Sequence, residues 1–268
     1  MTRETVVNPG DEVELSIEAI NHNGDGVGRF KGLTVFVPQT VPGEKVLTKI
    51  TALKKNFALG KAEEITERSG QRVEPSCEAA ATCGGSRLQH IDYSFQLELK
   101  QRIVENSLAR IGKISDVVVH PTLGMENPWA YRNKAHFQVS QADNRVRLGF
   151  FEEGSHELAS TCNCLLLDKE ITETASLVEE MLNEYKVPAY DWKTGKGLLR
   201  HVVIRKGVHN GQIMVVLVTS SEKFDQELIF AGWLKTKMPK VAAVIRNINT
   251  GQSRQVFGKT SKLLVGEK

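Results

Sequence analysis

Cysteine is scarce: four in 268 residues, too few and too unevenly spaced for a disulfide framework. Cys77 and Cys83 share one short loop, while Cys162 and Cys164 lie far along the chain, a spacing of ligands rather than bridges. No apolar run is long enough to span a bilayer, and no charged-then-apolar amino-terminal signal is present. Membrane insertion and secretion are therefore excluded as expectations, and the cytoplasm is the expected compartment. Charge of one sign is lacking too. A net charge of +3 is only mildly basic, so an argument about nucleic acid has to rest on where the charges lie. No paired carboxylates, nucleophile–base set or phosphate-cradling loop stands out. Gly24, Gly26 and Gly28 imitate a dinucleotide loop, but no helix follows them, as that mechanism requires.

What remains is a chain that is 40% hydrophobic and 25% charged, enough for a real core in one large or two modest domains. A monomer is favoured. Its first part is patterned as strands. Val13, Leu15, Ile17 and Ala19 alternate with polar residues, and Asn23-Gly24-Asp25-Gly26 supplies a turn. Further strands are expected over 33–37, 45–53 and 58–65, which suggests a small OB-type barrel, a common platform for single-stranded RNA. Lys45, Lys49, Lys54, Lys55 and Lys61 make its last turn basic, with Phe57 among them as a base-stacking ring. The same lysines also suit a solvated edge that prevents strand pairing.

The cysteine loop follows, with Gly84-Gly85 letting the backbone curl tightly. Asp92 or Ser94 then caps a helix whose apolar positions Leu97, Val104, Leu108 and Ile111 predict a packing stripe, with Gly112 as its stop. Strand is expected from Val117 to Val119. Residues 131–139 and 146–151 form a hairpin about Ala142-Asp143-Asn144. Ile171, Ala175, Val178, Met181, Leu182 and Tyr185 mark an amphipathic helix before Pro188. Asn210-Gly211 signals a second hairpin, with Arg200, His201, Arg205 and Lys206 on its first arm and a buried second arm over 213–218. A helix around 226–234 and a strand over 241–249 complete a sheet-and-helix module.

Cys77-x5-Cys83-Gly-Gly-Ser86, running into Leu88-Gln-His-x-x-Tyr93 and Gln96-Leu-Glu-Leu-Lys100, resembles the TRAM-containing 23S rRNA (uracil-5-)-methyltransferase family. The 131–135 segment, the 149–156 segment and the 247–249 and 256–258 segments are similar to it as well. The resemblance implies a TRAM domain over 1–68, an iron-sulfur type loop over 69–92 and an α+β central RNA-recognition domain over 93–268. The expected fold class is therefore mixed: an all-β OB-like barrel followed by an α+β domain, with the family's S-adenosylmethionine-binding Rossmann-like domain absent. It further implies a 4Fe-4S cluster on Cys77, Cys83 and Cys164. Ser86 stands at the third ligand position, where a hydroxyl is a harder ligand than a thiolate, and Cys162 is a possible substitute. RNA contacts are expected from Lys54, Lys55, Phe57, Arg132, Asn133, Lys134, His156 and Arg205, and the expected partner is RNA, in particular 23S rRNA. The expectation drawn from all this is an inactive, amino-terminal RNA-recognition portion of a methyltransferase that would use S-adenosylmethionine only at full length. A stand-alone RNA-binding accessory protein and an iron-sulfur redox-sensing module remain alternatives.

Overall fold

The computed structural model describes residues 6–267 other than 153, 156, 162, 222 and 252–254. The chain divides into two compact units, residues 1–81 with 85–126 and residues 82–84 with 127–268. Among the described residues no helix is long and apolar enough to cross a membrane.

In the first unit, β1 (Glu12–Ile20), β2 (Gly26–Phe30), β3 (Leu33–Val37), β4 (Lys45–Leu53) and β5 (Phe57–Glu67) close into a barrel in the order β1-β2-β3-β5-β4. Strand alternation delivers Val13, Leu15, Ile17, Val35, Val37, Val46, Ile50 and Ala58 to its interior. The alternation slips at a bulge between Ile17 and Ala19, so Ile20 is buried and Ala19 only half-buried. The glycines serve packing. A Cβ on Gly26 would lie 1.9 Å from Thr40 Oγ1, and one on Gly60 2.3 Å from Thr48 Cγ2.

The segment after the barrel is fastened by a buried ion pair. Arg72 donates to both carboxylate oxygens of Glu44, at 2.6 and 2.9 Å, and to the Gln39 carbonyl at 2.7 Å. α1 (Tyr93–Asn106) begins at Asp92, whose carboxylate accepts from the Ser94 and Phe95 amides. The expected apolar stripe is not the buried one. Phe95, Leu99 and Ile103 pack against Ile20, Val41 and Ile91, whereas Val104 and Ile111 are exposed. The helix ends in a π-helical turn, Ser107–Gly112, stopped by Lys113 at φ 55°. Residues 117–119 are not strand.

The second unit contains β6 (Lys134–Ala142), β7 (Arg145–Phe151), β8 (Leu158–Thr161), α2 (Lys169–Glu184), β9 (Leu199–Lys206), β10 (Ile213–Thr219), α3 (Glu227–Lys237), β11 (Val241–Ile248) and β12 (Thr260–Val265). The sheet runs β12-β11-β10-β9-β6-β7-β8. Asp143 and Asn144, both at positive φ, make the tight β6–β7 turn. The β9–β10 connection is longer than the Asn210-Gly211 signal suggests, because the strands end at Lys206 and Ile213. β10 and β11 are parallel and α3 carries the crossover, a pairing that apolar periodicity does not distinguish from an antiparallel one.

The main core gathers Phe137, Leu148, Val202, Ile204 and Leu217 of the sheet with Ile171, Val178, Met181 and Leu182 of α2 and Phe230 and Leu234 of α3. Both helices thus cover one face. On the other, Val203, Val216 and Val218 form a small separate cluster with Met214, Ile245 and Val256.

Candidate nucleic-acid interface

Alternation along β6 sends Ala135, Phe137 and Val139 to the helix-covered core, so Lys134, His136 and Gln138 point to the other face. On β9 the same face receives Val203 and Arg205. Lys134 stands directly opposite Arg205 in the ladder, and both are exposed. Like charges paired across strands are destabilising, and no acidic side chain among the described residues lies within ion-pair distance of either. The contrast with the next residue is sharp: Lys206 faces the helix side and is neutralised by Asp168 at 2.7 Å and Glu170 at 2.8 Å.

Two histidines accompany these cations. His201, paired in register with Gln138, is brought down to about 4, mainly by burial, then by the charge of Arg200 and by His136. Its Nδ1 is inaccessible and has no hydrogen-bond partner. His136 is lowered by burial and then by Lys134. Both rings are therefore neutral near pH 7, able to stack or hydrogen-bond but not to act as cations. The His136 and Phe257 rings meet in a T-shaped contact, with centroids 6.0 Å apart. Beside Arg205 the sheet opens onto a groove of about 880 Å³ whose lining includes Asn210, Gln212, Met214 and Lys235, room for more than one nucleotide-sized group.

The other expected site residues are placed as follows. Arg132 precedes β6, bridged to Leu167 and with its guanidinium 5.8 Å from the Tyr131 ring. Asn133 is half-buried and its carbonyl accepts from the Lys206 amide. Arg200 is structural: it donates to the Asn249 and Gly251 carbonyls and lies 4.5 Å from the Tyr190 ring. His156 lies outside the described residues. In the barrel unit Lys54 and Lys55 are exposed at the β4–β5 corner, and Phe57 packs edge-on against Phe36 at 5.3 Å. Lys45 is taken up by Glu67 at 2.7 Å, and that carboxylate holds its ammonium above the usual lysine range. Sequence reading did not single out His136 or Phe257. The period of β6 could have found the first, but only the fold brings Phe257 to it.

The iron-sulfur expectation does not fit. Among the described residues no group of three or more His, Cys, Asp or Glu could hold a metal ion, and Ser86 presents a hydroxyl where a thiolate is needed. Cys164 packs against the main core as a small apolar side chain, and the backbone of Cys83 bridges to Glu152. Cys77 is half-buried at the start of a turn closed by the Ala80 amide. Cys162 lies outside the described residues.

Residues 6–62 match the TRAM domain family. An uncharacterized RNA methyltransferase of Halalkalibacterium halodurans is 36% identical over 99% of this chain and 58% of its own length. Similar proteins of Listeria innocua and Caldanaerobacter subterraneus subsp. tengcongensis are 39% and 40% identical over 98% and 96% of the chain, and each is matched over 57% of its length. The tRNA (uracil-54, C5)-methyltransferase of Pyrococcus abyssi, solved with S-adenosyl-L-homocysteine, shares the fold: TM-score 0.65, 22% identity, 94% of this chain and 55% of that one.

These matches correct the expectation of an inactive amino-terminal portion without its S-adenosylmethionine-binding domain. Similarity to methyltransferases runs through 99% of the chain, and the point at which the sequence stops carries no information about a domain's absence. The chain carries a TRAM domain and is similar, along nearly all its length, to curated RNA methyltransferases of which it spans rather more than half.

Proposed function

We propose that this protein is an RNA methyltransferase that transfers a methyl group from S-adenosylmethionine to the C5 atom of a uracil. We take its substrate to be 23S ribosomal RNA, held in part by the face of the second unit that bears Lys134 and Arg205. The observation that carries the RNA contact is the opposed cationic pair. Two positive groups fixed opposite each other in a ladder, with no acid among the described residues to relieve them, are stabilised by a polyanion and by little else. The TRAM domain and the RNA methyltransferase relatives support the same partner. The resemblance of this chain's cysteine loop and 131–135 segment to the 23S rRNA (uracil-5-)-methyltransferase family supports the ribosomal substrate.

In this reading Lys134 and Arg205 contact phosphates, and the neutral His136 and Gln138 beside them meet sugars or bases. S-adenosylmethionine supplies the methyl group. The residues described here bind and orient the RNA.

The test is twofold. Methyl transfer from labelled S-adenosylmethionine is measured on 23S rRNA and on tRNA, with the modified base identified by mass spectrometry. RNA affinity is measured against salt for the parent and for Lys134→Gln with Arg205→Gln. The double variant is expected to lose about tenfold or more in affinity at low salt and about 1.4 from the log–log salt slope, two contacts at ~0.7 each for a single strand. Label on tRNA alone overturns the ribosomal substrate. An unchanged salt slope overturns the assigned face.

A further inference from the structure

The segment following β11 is held by side-chain amides to an unusual degree. Asn247 Nδ2 donates to the carbonyls of Gly258 and Thr260 and to Ser261 Oγ, at 3.0, 3.2 and 2.9 Å, while its Oδ1 accepts from the Gly258 amide at 2.7 Å. Asn249 Nδ2 donates to the carbonyls of Gln255 and Val256, at 2.7 and 3.1 Å. Both asparagines are buried, so these bonds are shielded from water and fix the backbone strongly. A Cβ on Gly258 would lie 1.8 Å from the Ile248 carbonyl oxygen, so the chain closes onto β11 where only glycine fits. Val256, the residue before Phe257, packs into the cluster of Val203, Val216 and Val218.

Phe257 is thus clamped from both sides, yet the residue remains 45% exposed. A ring that served only the core would sit in the apolar cluster its neighbour already occupies. Instead it stands at the surface with its contact to His136, a half-buried ring on the same open face as Lys134. Lys134 is two residues from His136 along one strand, about 7 Å, and Arg205 stands opposite Lys134. An exposed aromatic surface next to two cations that lack acidic partners among the described residues has the chemistry of a nucleotide site, in which the ring takes the base and the cations take the backbone.

We infer that Phe257, backed by His136, is a stacking platform for one unpaired nucleobase of the bound RNA, with Asn247 and Asn249 as the residues that position it. This site rests on the reading of the open sheet face as an RNA surface and adds to it a preference for single-stranded RNA.

The experiment uses short single-stranded RNAs carrying a fluorescent adenine analogue at successive positions, their duplex forms, and the parent, Phe257→Ala and Phe257→Trp proteins. The parent is expected to bind single strands more tightly than duplexes and to quench the analogue at one position. Phe257→Ala is expected to lose that quenching and roughly 5- to 150-fold in single-strand affinity, the worth of one stacked base at ~1–3 kcal/mol. Phe257→Trp, which keeps a stacking face, is expected to retain both. Equal quenching and affinity in Phe257→Ala and the parent overturn the platform. Salt-dependent binding by the parent with no quenching at any position also overturns it but leaves the RNA surface standing. Failure of the parent to bind RNA at any salt overturns both.

Discussion

Lys54 and Lys55 ride on a corner of the barrel, whereas Lys134 and Arg205 are locked into adjacent strands of the sheet. At the corner each ammonium is free to point into water, so a lysine there adds little strain and says little about a ligand. In the ladder the backbone fixes the distance between two like charges, and the repulsion persists until something negative arrives. Cations restrained in this way are stronger evidence of polyanion binding than a larger number of unrestrained ones. The same contrast separates the aromatics: Phe57 leans on Phe36 within the barrel surface, while Phe257 is clamped by its backbone and left open.

The two units also differ in how they hold buried charge, and the largest expected effect lies there. In the sheet unit Glu227 forms an ion pair with Arg246 at 2.8 Å and also pairs with Lys262; Glu227 and Arg246 are both buried. Glu227→Ala would leave Arg246 buried without its carboxylate, a loss of about 3–5 kcal/mol. Denaturant unfolding should show it, with amide protection falling in 199–248.

The barrel unit is expected to respond to acid instead. Burial alone would raise the Glu44 carboxyl, but hydrogen bonds from Arg72 and from the Val41 amide, with the charge of Arg72, hold it below its ordinary 4.5. A carboxyl depressed in the folded state contributes stability that is complete above the unfolded value and is lost as pH falls through the folded one. Protection of amides near 39–45 and 72 should therefore decline only below about pH 4.5. In Glu44→Gln that decline should disappear, while protection is lower throughout.

The smallest effect tests the comparison of surfaces directly. Lys134→Thr, which removes one member of the opposed pair, is expected to stabilise the RNA-free protein by about 0.2–1 kcal/mol, although it weakens RNA binding. Lys54→Thr is expected to stay within about 0.5 kcal/mol. Equal shifts, measured by denaturant midpoints, would show that the ladder pair carries no stored repulsion.

Much of the fold was legible in local pattern. The alternation of β1 and the stripe of Ile171, Val178, Met181 and Leu182 became interior as their periods require. α1 shows where that reading gives out. Its sequence offers two apolar stripes, and Phe95, Leu99 and Ile103 are buried because Ile20, Val41 and Ile91 happen to lie against them. The candidate site was half legible: basic residues on 131–138 and 199–206 were visible, but not that Arg200 and Lys206 would be consumed by structural bonds while Lys134 and Arg205 were left opposed. The iron-sulfur ligands were a matter of resemblance, and the packing of Cys164 against the core does not support them.

Composition, strand and helix periods and turn residues are properties of neighbours in the chain, so the sequence by itself determined the elements of the barrel and most of those of the second unit, though not the short edge strands β8 and β12. Register, parallel pairing across α3 and the meeting of His136 with Phe257 depend on residues far apart in sequence. Those were decided only when side chains competed for the same space and the same hydrogen-bond partners in the folded chain.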